Sequence, residues 1–400
     1  MTVKEFLKSH NGSADQIDGP ESLAGLLEDM KLGLAGQGNI PMIPSYLSPA
    51  ISIPAGSRCC VLDAGGTKLR TALAIFDETG NCRMEHLEKR PTPGTQGELS
   101  CDAFYGALAE PLRRLGHYDR VGFCFSYNAT MNRDLDGILD GWCKEVQVPE
   151  AVGRPVGASL KAALGGNISC VHVLNDSVAA MLGVPDVQAG VILGTGVNVC
   201  YTEQCSNIPK IRQTLHSDSM IISTEVGEFS RLPKSDFERA VIDASESPTS
   251  ALAEKQCAGG YLGGIITNAW NTAAREGLLP CTFEKGCWDL AQISSYLAGE
   301  PTSSILYHPD AAEIARSTIC RAAKIAAILC AGPLLRISAH RKPIRVAMEG
   351  SQYWKLTGFQ EAFHRELDAL LAPHGIDYEI ARADNVCLIG AARAAFAKTM

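Results

Sequence analysis

The sequence predicts an α/β protein of two domains, and three observations carry that reading. The chain has 400 residues, 46% of them hydrophobic and 20% charged, which is long enough for two separate cores. A strand, glycine turn and strand occupy residues 59–79. An apolar run ends in Asp63, Gly65 and Gly66 follow, and Leu69, Thr71, Leu73 and Ile75 then alternate along a second strand. A second unit of the same design, GVILGTGVNVCYTE, lies at residues 190–203, about 130 residues further on.

Glycines leave no Cβ in the way and accept positive φ, so backbone N–H groups at Gly65, Gly66, Gly194 and Gly196 can close on a phosphate, with the Thr67 and Thr195 hydroxyls beside them. Asp63 ends its strand where it would hold a divalent ion through water. Taken singly, a DxGGT is as well explained by a hairpin that only turns the chain. The pair implies a duplicated fold whose two turns grip one polyphosphate. A dinucleotide fingerprint is excluded at the second turn, because Val199 stands at the third glycine position and the turn leads into a strand.

Composition narrows the function. A net charge of −8 with no dense Lys/Arg run argues against a nucleic-acid surface. No signal pattern is expected at the N-terminus, where Lys4, Glu5 and Lys8 interrupt any apolar core. The apolar stretch 325–335 reads as too short for a bilayer and as broken by Gly332 and Pro333. The 15 cysteines are scattered without a CxxC pair, so free thiols in a reducing, cytoplasmic setting are expected. None of the nine histidines is assigned to a metal.

In chain order, residues 1–35 read as a helical lead-in and 39–57 as an extended connector. A third strand is expected near 83–89 and a helix near 101–115. Residues 121–125 form a buried strand that opens at Ser126 into a polar stretch running through Asn128, Asp136 and Asp140 to Lys144. A surface loop and a binding loop both fit that stretch. Residues 171–182 read as strand into helix, with Asn175 and Asp176 at the junction. Asp176 is either a helix cap or a catalyst.

These stretches together resemble the hexokinase family of the actin-like ATPase superfamily, almost from end to end. GLAGQGNIPMIPSY at 33–46 is similar to the family's leading segment, and LDAGGTKLR at 62–70 to its first phosphate motif, with Lys68 for the usual Asn. Residues 125–144 match the sugar loop, with Asn128 for Pro and Cys143 for Thr. NDSV at 175–178, GTGVNVCY at 194–201, STEVGEF at 223–229, AEKQCAGGYLG at 253–263, MEGSQY at 348–353 and a final helix over 390–400 follow in the family's order.

The resemblance implies two ribonuclease-H-like domains around a deep cleft. The small one would hold residues 58–173 and 387–400, the large one 1–57 and 174–386, with a buried helix at 311–330 beneath the nucleotide site. It implies an ATP-dependent hexose kinase acting on the 6-hydroxyl of glucose or a relative, with Mg-ATP as co-substrate. Asp176 would be the general base, with Lys144 and Arg70 assisting. Ser126, Asn175, Asn198, Glu225 and Glu254 would bind the sugar; Asp63, Gly65, Gly66, Thr67, Gly194, Thr195, Gly196, Gly350 and Ser351 would hold Mg-ATP. Without the motifs around them, Glu225 and Glu254 read as surface acids and Arg70 as the partner of a nearby acid. Another sugar, or a sugar-binding regulator without turnover, are the competing readings. No nucleic acid or membrane partner is expected, and the sequence leaves the oligomeric state open.

Overall fold

The computed structural model describes residues 1–142, 146–211, 217–284, 286, 288–300, 308–337 and 343–400. Its strands are β1 (Ile43–Pro44), β2 (Arg58–Ala64), β3 (Lys68–Phe76), β4 (Cys82–Pro91), β5 (Arg120–Phe125), β6 (Asn128–Met131), β7 (Gly137–Gly141), β8 (Cys170–Leu174), β9 (Ala189–Leu193), β10 (Val197–Gln204), β11 (Ser219–Ser223), β12 (Ile344–Glu349) and β13 (Tyr378–Ala381). The first predicted unit is the hairpin β2–β3, paired antiparallel from Arg58 opposite Ile75 to Ala64 opposite Leu69. The second is the hairpin β9–β10.

Each hairpin seeds a sheet of one design. In the first lobe the order is β4-β3-β2-β5-β8, antiparallel in the meander β2–β3–β4 and parallel from β2 through β5 to β8. In the second it is β11-β10-β9-β12-β13, again with an antiparallel meander and then parallel strands, and β1 is added at the β11 edge. Counted within its own lobe, each sheet reads third, second, first, fourth, fifth. The duplication inferred from two glycine turns is therefore a duplication of whole sheets, facing each other across a cleft.

Three expectations are corrected. The polar stretch after β5 is a two-stranded ribbon, β6 against β7, rather than a loop. The final helix runs Val386–Ala394 and stops six residues before the terminus. Gly332 and Pro333 do not break the apolar helix, which extends over Pro309–Arg336. Pro333 sits near the end, where its missing N–H removes a single bond to Leu329. Gly332 lets the helix approach Leu26, whose Cδ2 would be 2.7 Å from an added Cβ. Among the described residues this is the one helix long and apolar enough to cross a membrane, and 83% of its most apolar window is buried inside the protein. It is the core helix of the second lobe, and its Arg321 is held by Glu238 at 2.7 Å in full burial.

The lobes are joined by two crossing helices, Asp176–Gly183 after β8 and Val386–Ala394 after β13. A Cβ on Gly390 would fall 1.8 Å from the Ala179 carbonyl oxygen, and one on Gly183 would fall 2.0 Å from that of Val386. Gly390→Ala is expected to destabilise the protein by ~2 kcal/mol or more, since the clash is with backbone that cannot rotate away. Gly106→Ala, in the helix Cys101–Arg113 with nothing within 4 Å of the new methyl, should be neutral or stabilising by up to about 1 kcal/mol. Thermal melts of the two variants check the contrast.

Candidate active site

At the end of β8 the capping question resolves. Asn175 is the N-cap, its Oδ1 accepting the Ser177 N–H at 2.9 Å and the Ser177 hydroxyl at 2.8 Å. Asp176 is thus the first helical residue, a carboxylate at the positive end of the helix and not its cap. Across from it, Asn198 on β10 donates from Nδ2 to Ser223 Oγ (3.0 Å) and to Glu225 Oε1 (2.5 Å), and its Oδ1 accepts the Glu225 N–H (3.0 Å). Ser223 donates to the same Glu225 oxygen at 3.1 Å. Glu225 itself has left-handed backbone, φ 58°.

Glu254 closes the group. Its Oε2 accepts the Val197 N–H at 2.9 Å and would lie 2.5 Å from a Cβ on Gly196, which is why that position has none. Burial, reinforced by the charges of Asp176 and Glu254, pushes the Glu225 carboxyl up from 4.5 to about 7 against the hydrogen bonds from Ser223 and Asn198. The surface-acid reading of Glu225 is excluded by its half-buried place on the cavity wall and its bonds to Asn198 and Ser223. A cavity of about 530 Å³ opens on Asn175, Ser223 and Glu225, walled by Ile43 and Tyr46 on one side and by Asn128 and Met131 of the ribbon on the other.

The glycine turns lie at the ends of β2 and β9. Gly65 donates to the Lys68 carbonyl (3.0 Å), and its own carbonyl accepts from the Thr92 hydroxyl (2.9 Å) and the Tyr127 hydroxyl (2.8 Å). The Thr67 carbonyl accepts the Thr92 N–H at 3.2 Å. In the second turn Gly194 donates to Gly196 (3.0 Å), while the carbonyls of Gly194 and Thr195 accept the N–H groups of Gly259 and Gly260 (2.8 and 3.0 Å) that begin the helix Gly259–Arg275. None of Gly65, Gly66, Gly194 and Gly196 uses the left-handed backbone expected of them. Gly196 exploits the missing Cβ, which would meet Glu254, whereas a Cβ on Gly65 or Gly194 would make only ordinary contacts at 3.5 Å or more. Gly350 does need both freedoms: its φ is 126°, and a Cβ would sit 2.1 Å from the Leu193 carbonyl oxygen. It presses the start of the helix Ser351–Lys355 against the second turn.

Arg70 is paired with Asp63, Nε to Oδ2 at 2.7 Å with Nη2 on the same oxygen. Desolvation works to lower the Arg70 pKa, but the Asp63 charge and hydrogen bonds more than offset it and the net shift is upward. Among the described residues no three His, Cys, Asp or Glu side chains gather into a metal cage. A magnesium ion that arrives on a nucleotide needs only one or two protein carboxylates, and Asp63 beside the first turn suits that role. Ser126 follows β5 in the first lobe, its N–H on the Ala64 carbonyl at 3.3 Å. Lys144 and Cys143 lie outside the described residues. Ser223, Ser177, Thr92 and Tyr127 join the site without being among the residues the motifs single out, although Ser223 stands in STEVGEF, two residues before Glu225.

Two lobes of one topology, with paired glycine turns at their strand ends, define the actin-like ATPase class of fold. Within it, the chain belongs to the hexokinase family: one Hexokinase profile matches residues 2–184 and a second matches 188–306 and 309–397. Hexokinase-like 1 protein of Arabidopsis thaliana is 33% identical over 273 residues, 60% of this chain and 54% of that protein. Hexokinase-7 of Oryza sativa subsp. japonica is 29% identical over 421 aligned positions, 90% of this chain and 88% of that protein. With several of these curated relatives the match spans about half their length. The solved hexokinase of Schistosoma mansoni, complexed with glucose, shares the fold with a TM-score of 0.82 at 24% identity, over 98% of both chains.

The Glu225 shift has a signed consequence. Its folded pKa, about 7, lies above its ordinary value of 4.5, so the folded state holds the proton more tightly. Below both values the group costs nothing. Stability falls as pH rises between them, and the full penalty of ~3 kcal/mol stands above pH 7. Glu225→Gln should therefore melt higher than wild type at pH 8 and lose that advantage at pH 4.5, read as the difference in Tm between the two proteins at each pH.

Proposed function

We propose that the protein transfers the γ-phosphate of Mg-ATP to the 6-hydroxyl of glucose or a closely related hexose. The observation that carries this is the convergence of Asn175, Asn198, Glu225 and Glu254 with Asp176 at a helix start. Amide and carboxylate groups together match the donors and acceptors of a polyol, and a site built that way rejects analogues lacking a hydroxyl. Family membership supports the same reading, as does the glucose complexed with the Schistosoma mansoni hexokinase.

In this reading Asp176 accepts the proton of the attacking hydroxyl, while Asn175, Asn198, Glu225 and Glu254 orient the ring. Ser126 and Lys144 contribute from the first lobe. The two glycine turns, Thr67 and Thr195 cradle the phosphates, Gly350 and Ser351 border the adenosine, and Asp63, steadied by Arg70, faces the nucleotide's magnesium. Phosphoryl transfer asks for positioning and charge neutralisation more than for covalent catalysis. We place residues 58–173 with 387–400 in one moving body and 1–57 with 174–386 in the other, closing on the sugar to exclude water. Free thiols throughout the described cysteines accord with a reducing, cytoplasmic setting. A hexose other than glucose is the second reading, because Asn128, in place of the family's proline, lines the cavity.

ADP release from Mg-ATP, measured across glucose, fructose, mannose, galactose and glucosamine, tests the reading. Asp176→Ala should lower sugar-dependent turnover by about 10²–10⁴-fold. Calorimetric sugar binding without any turnover in the wild type would instead make the protein a sensor. Saturating sugar should also reduce the radius of gyration in small-angle scattering, and an unchanged profile would count against closure.

A further inference from the structure

Lys210 is a half-buried lysine that no motif contains. Its ammonium donates to three backbone carbonyls, Gly33 at 3.0 Å, Pro41 at 2.6 Å and Met42 at 2.6 Å, and its own N–H donates to Leu34 at 3.2 Å. Three donors meet three acceptors, and no carboxylate is among these partners. The acceptors belong to two segments. Gly33 lies in the last turn of the helix Gly19–Leu34, whose carbonyl end carries partial negative charge that attracts a cation. Pro41 and Met42 lead into β1.

What the ammonium holds is strained. Met42 (φ 48°) and Tyr46 (φ 56°) are both left-handed without being glycine, and such backbone persists only where its surroundings over-determine it. β1 between them pairs with β11, Ile43 opposite Ser223, and Ser223 is the residue whose hydroxyl bonds Glu225. Pro41, Ile43, Ser45, Tyr46 and Lys210 line the cavity that ends on Glu225. One edge strand therefore separates the lysine clamp from the carboxylate cluster.

We propose that Lys210 is a positioning residue for the sugar: by gathering the carbonyls of Gly33, Pro41 and Met42 it fixes the 41–46 wall against β11 and so sets sugar affinity. This rests on the hexose reading of the Glu225 site. A neutral amine has two hydrogens for three carbonyls and turns a lone pair toward an oxygen, so the clamp exists only while the lysine is protonated. Burial alone lowers the Lys210 pKa to about 8, and no charged neighbour holds it up. The other ionisable groups on the cavity wall are Glu225, Glu228, Asp140, Tyr46 and Tyr127. Glu225, at about 7, titrates next to the lysine, at about 8, so the two ranges overlap, and Lys210→Met, which keeps Glu225, separates them.

The test separates affinity from turnover. Lys210→Met should raise the sugar KM about tenfold, a loss of ~1.4 kcal/mol, with kcat within about twofold. Wild-type KM should climb above pH 8, and the variant's should not. In Lys210→Ala, propylammonium chloride, which replaces the deleted atoms, should restore KM, and tetramethylammonium chloride, which cannot donate, should not. An active wild type whose KM is flat from pH 7.5 to 9, or a Lys210→Met protein with unchanged KM, overturns the clamp and leaves the kinase intact. Should both variants fail to fold by thermal melt, the wild-type profile is compared with that of Glu225→Gln: a KM rise above pH 8 that survives in Glu225→Gln supports the clamp, and one that disappears overturns it. A wild type that binds sugar without turnover is read through Kd instead, and one that neither binds nor phosphorylates any sugar ends both proposals.

Discussion

The contact on which the rest depends is the crossing of two helices at glycine. Asp176–Gly183 carries the chain out of the first lobe, and Val386–Ala394 brings it back from the second. Gly183 meets the Val386 carbonyl, Gly390 meets that of Ala179, and Gly122 on β5 meets that of Ala391, each closer than any Cβ allows. None of the three has left-handed backbone. They are glycine for nearness alone, so the second helix is pressed between the first sheet and the first helix with no slack. Asp176 opens one of these helices, and the Cys387 thiol at the start of the other reaches the Asp176 carbonyl at 3.9 Å. The position of the candidate base is thus set by the element that joins the lobes.

Duplication supplies two equivalent strand ends, and local sequence then makes them unlike. The first turn is tied to its own lobe through Thr92 and Tyr127, and its strand ends in the Asp63–Arg70 pair. The second turn is tied to a helix start at Gly259 and to Gly350, and its flank carries the Glu254 carboxylate on the Val197 amide. One copy therefore presents a carboxylate already neutralised by a guanidinium, the other a carboxylate already bonded to backbone. A symmetric scaffold has become an asymmetric cleft with few changes at each turn.

The hairpins and the strand-to-helix junction at Asn175 were legible because period-two alternation and glycine turns are local signals, whereas the order of the strands in each sheet is set by non-local pairing. The ribbon β6–β7 was not, since polar side chains such as Asn128, Thr130 and Asp140 stand on a strand that is exposed and too short to show a pattern. β1, of two residues, exists only because β11 offers it an edge. Pro333 misled because its cost depends on its distance from the helix end, and it stands three residues before the last helical residue, Arg336. At the site, identities came from motifs, but what the residues do to one another did not. The left-handed turn of Glu225, its burial and its dependence on Ser223 and Asn198 are tertiary facts.

Glu225 also indicates what kind of ligand the cleft suits. It is half-buried, held in left-handed backbone and beside two other acids, and desolvation with the neighbouring charges raises its pKa and costs stability. An anion placed there would add repulsion, and a metal would find no cage among the described residues. A neutral molecule rich in hydroxyl groups relieves the charge crowding, because each hydroxyl donates to a carboxylate while its oxygen accepts from an amide such as Asn175 Nδ2. Charge crowding that is unfavourable in the empty cleft becomes a set of charge-assisted hydrogen bonds once such a molecule enters. In the proposed reading the polyphosphate belongs at the other end, by the glycine turns and the Asp63–Arg70 pair, where a guanidinium offsets negative charge. The separation of an acid-rich pocket from the glycine turns matches one neutral polyol and one anionic donor meeting at Asp176.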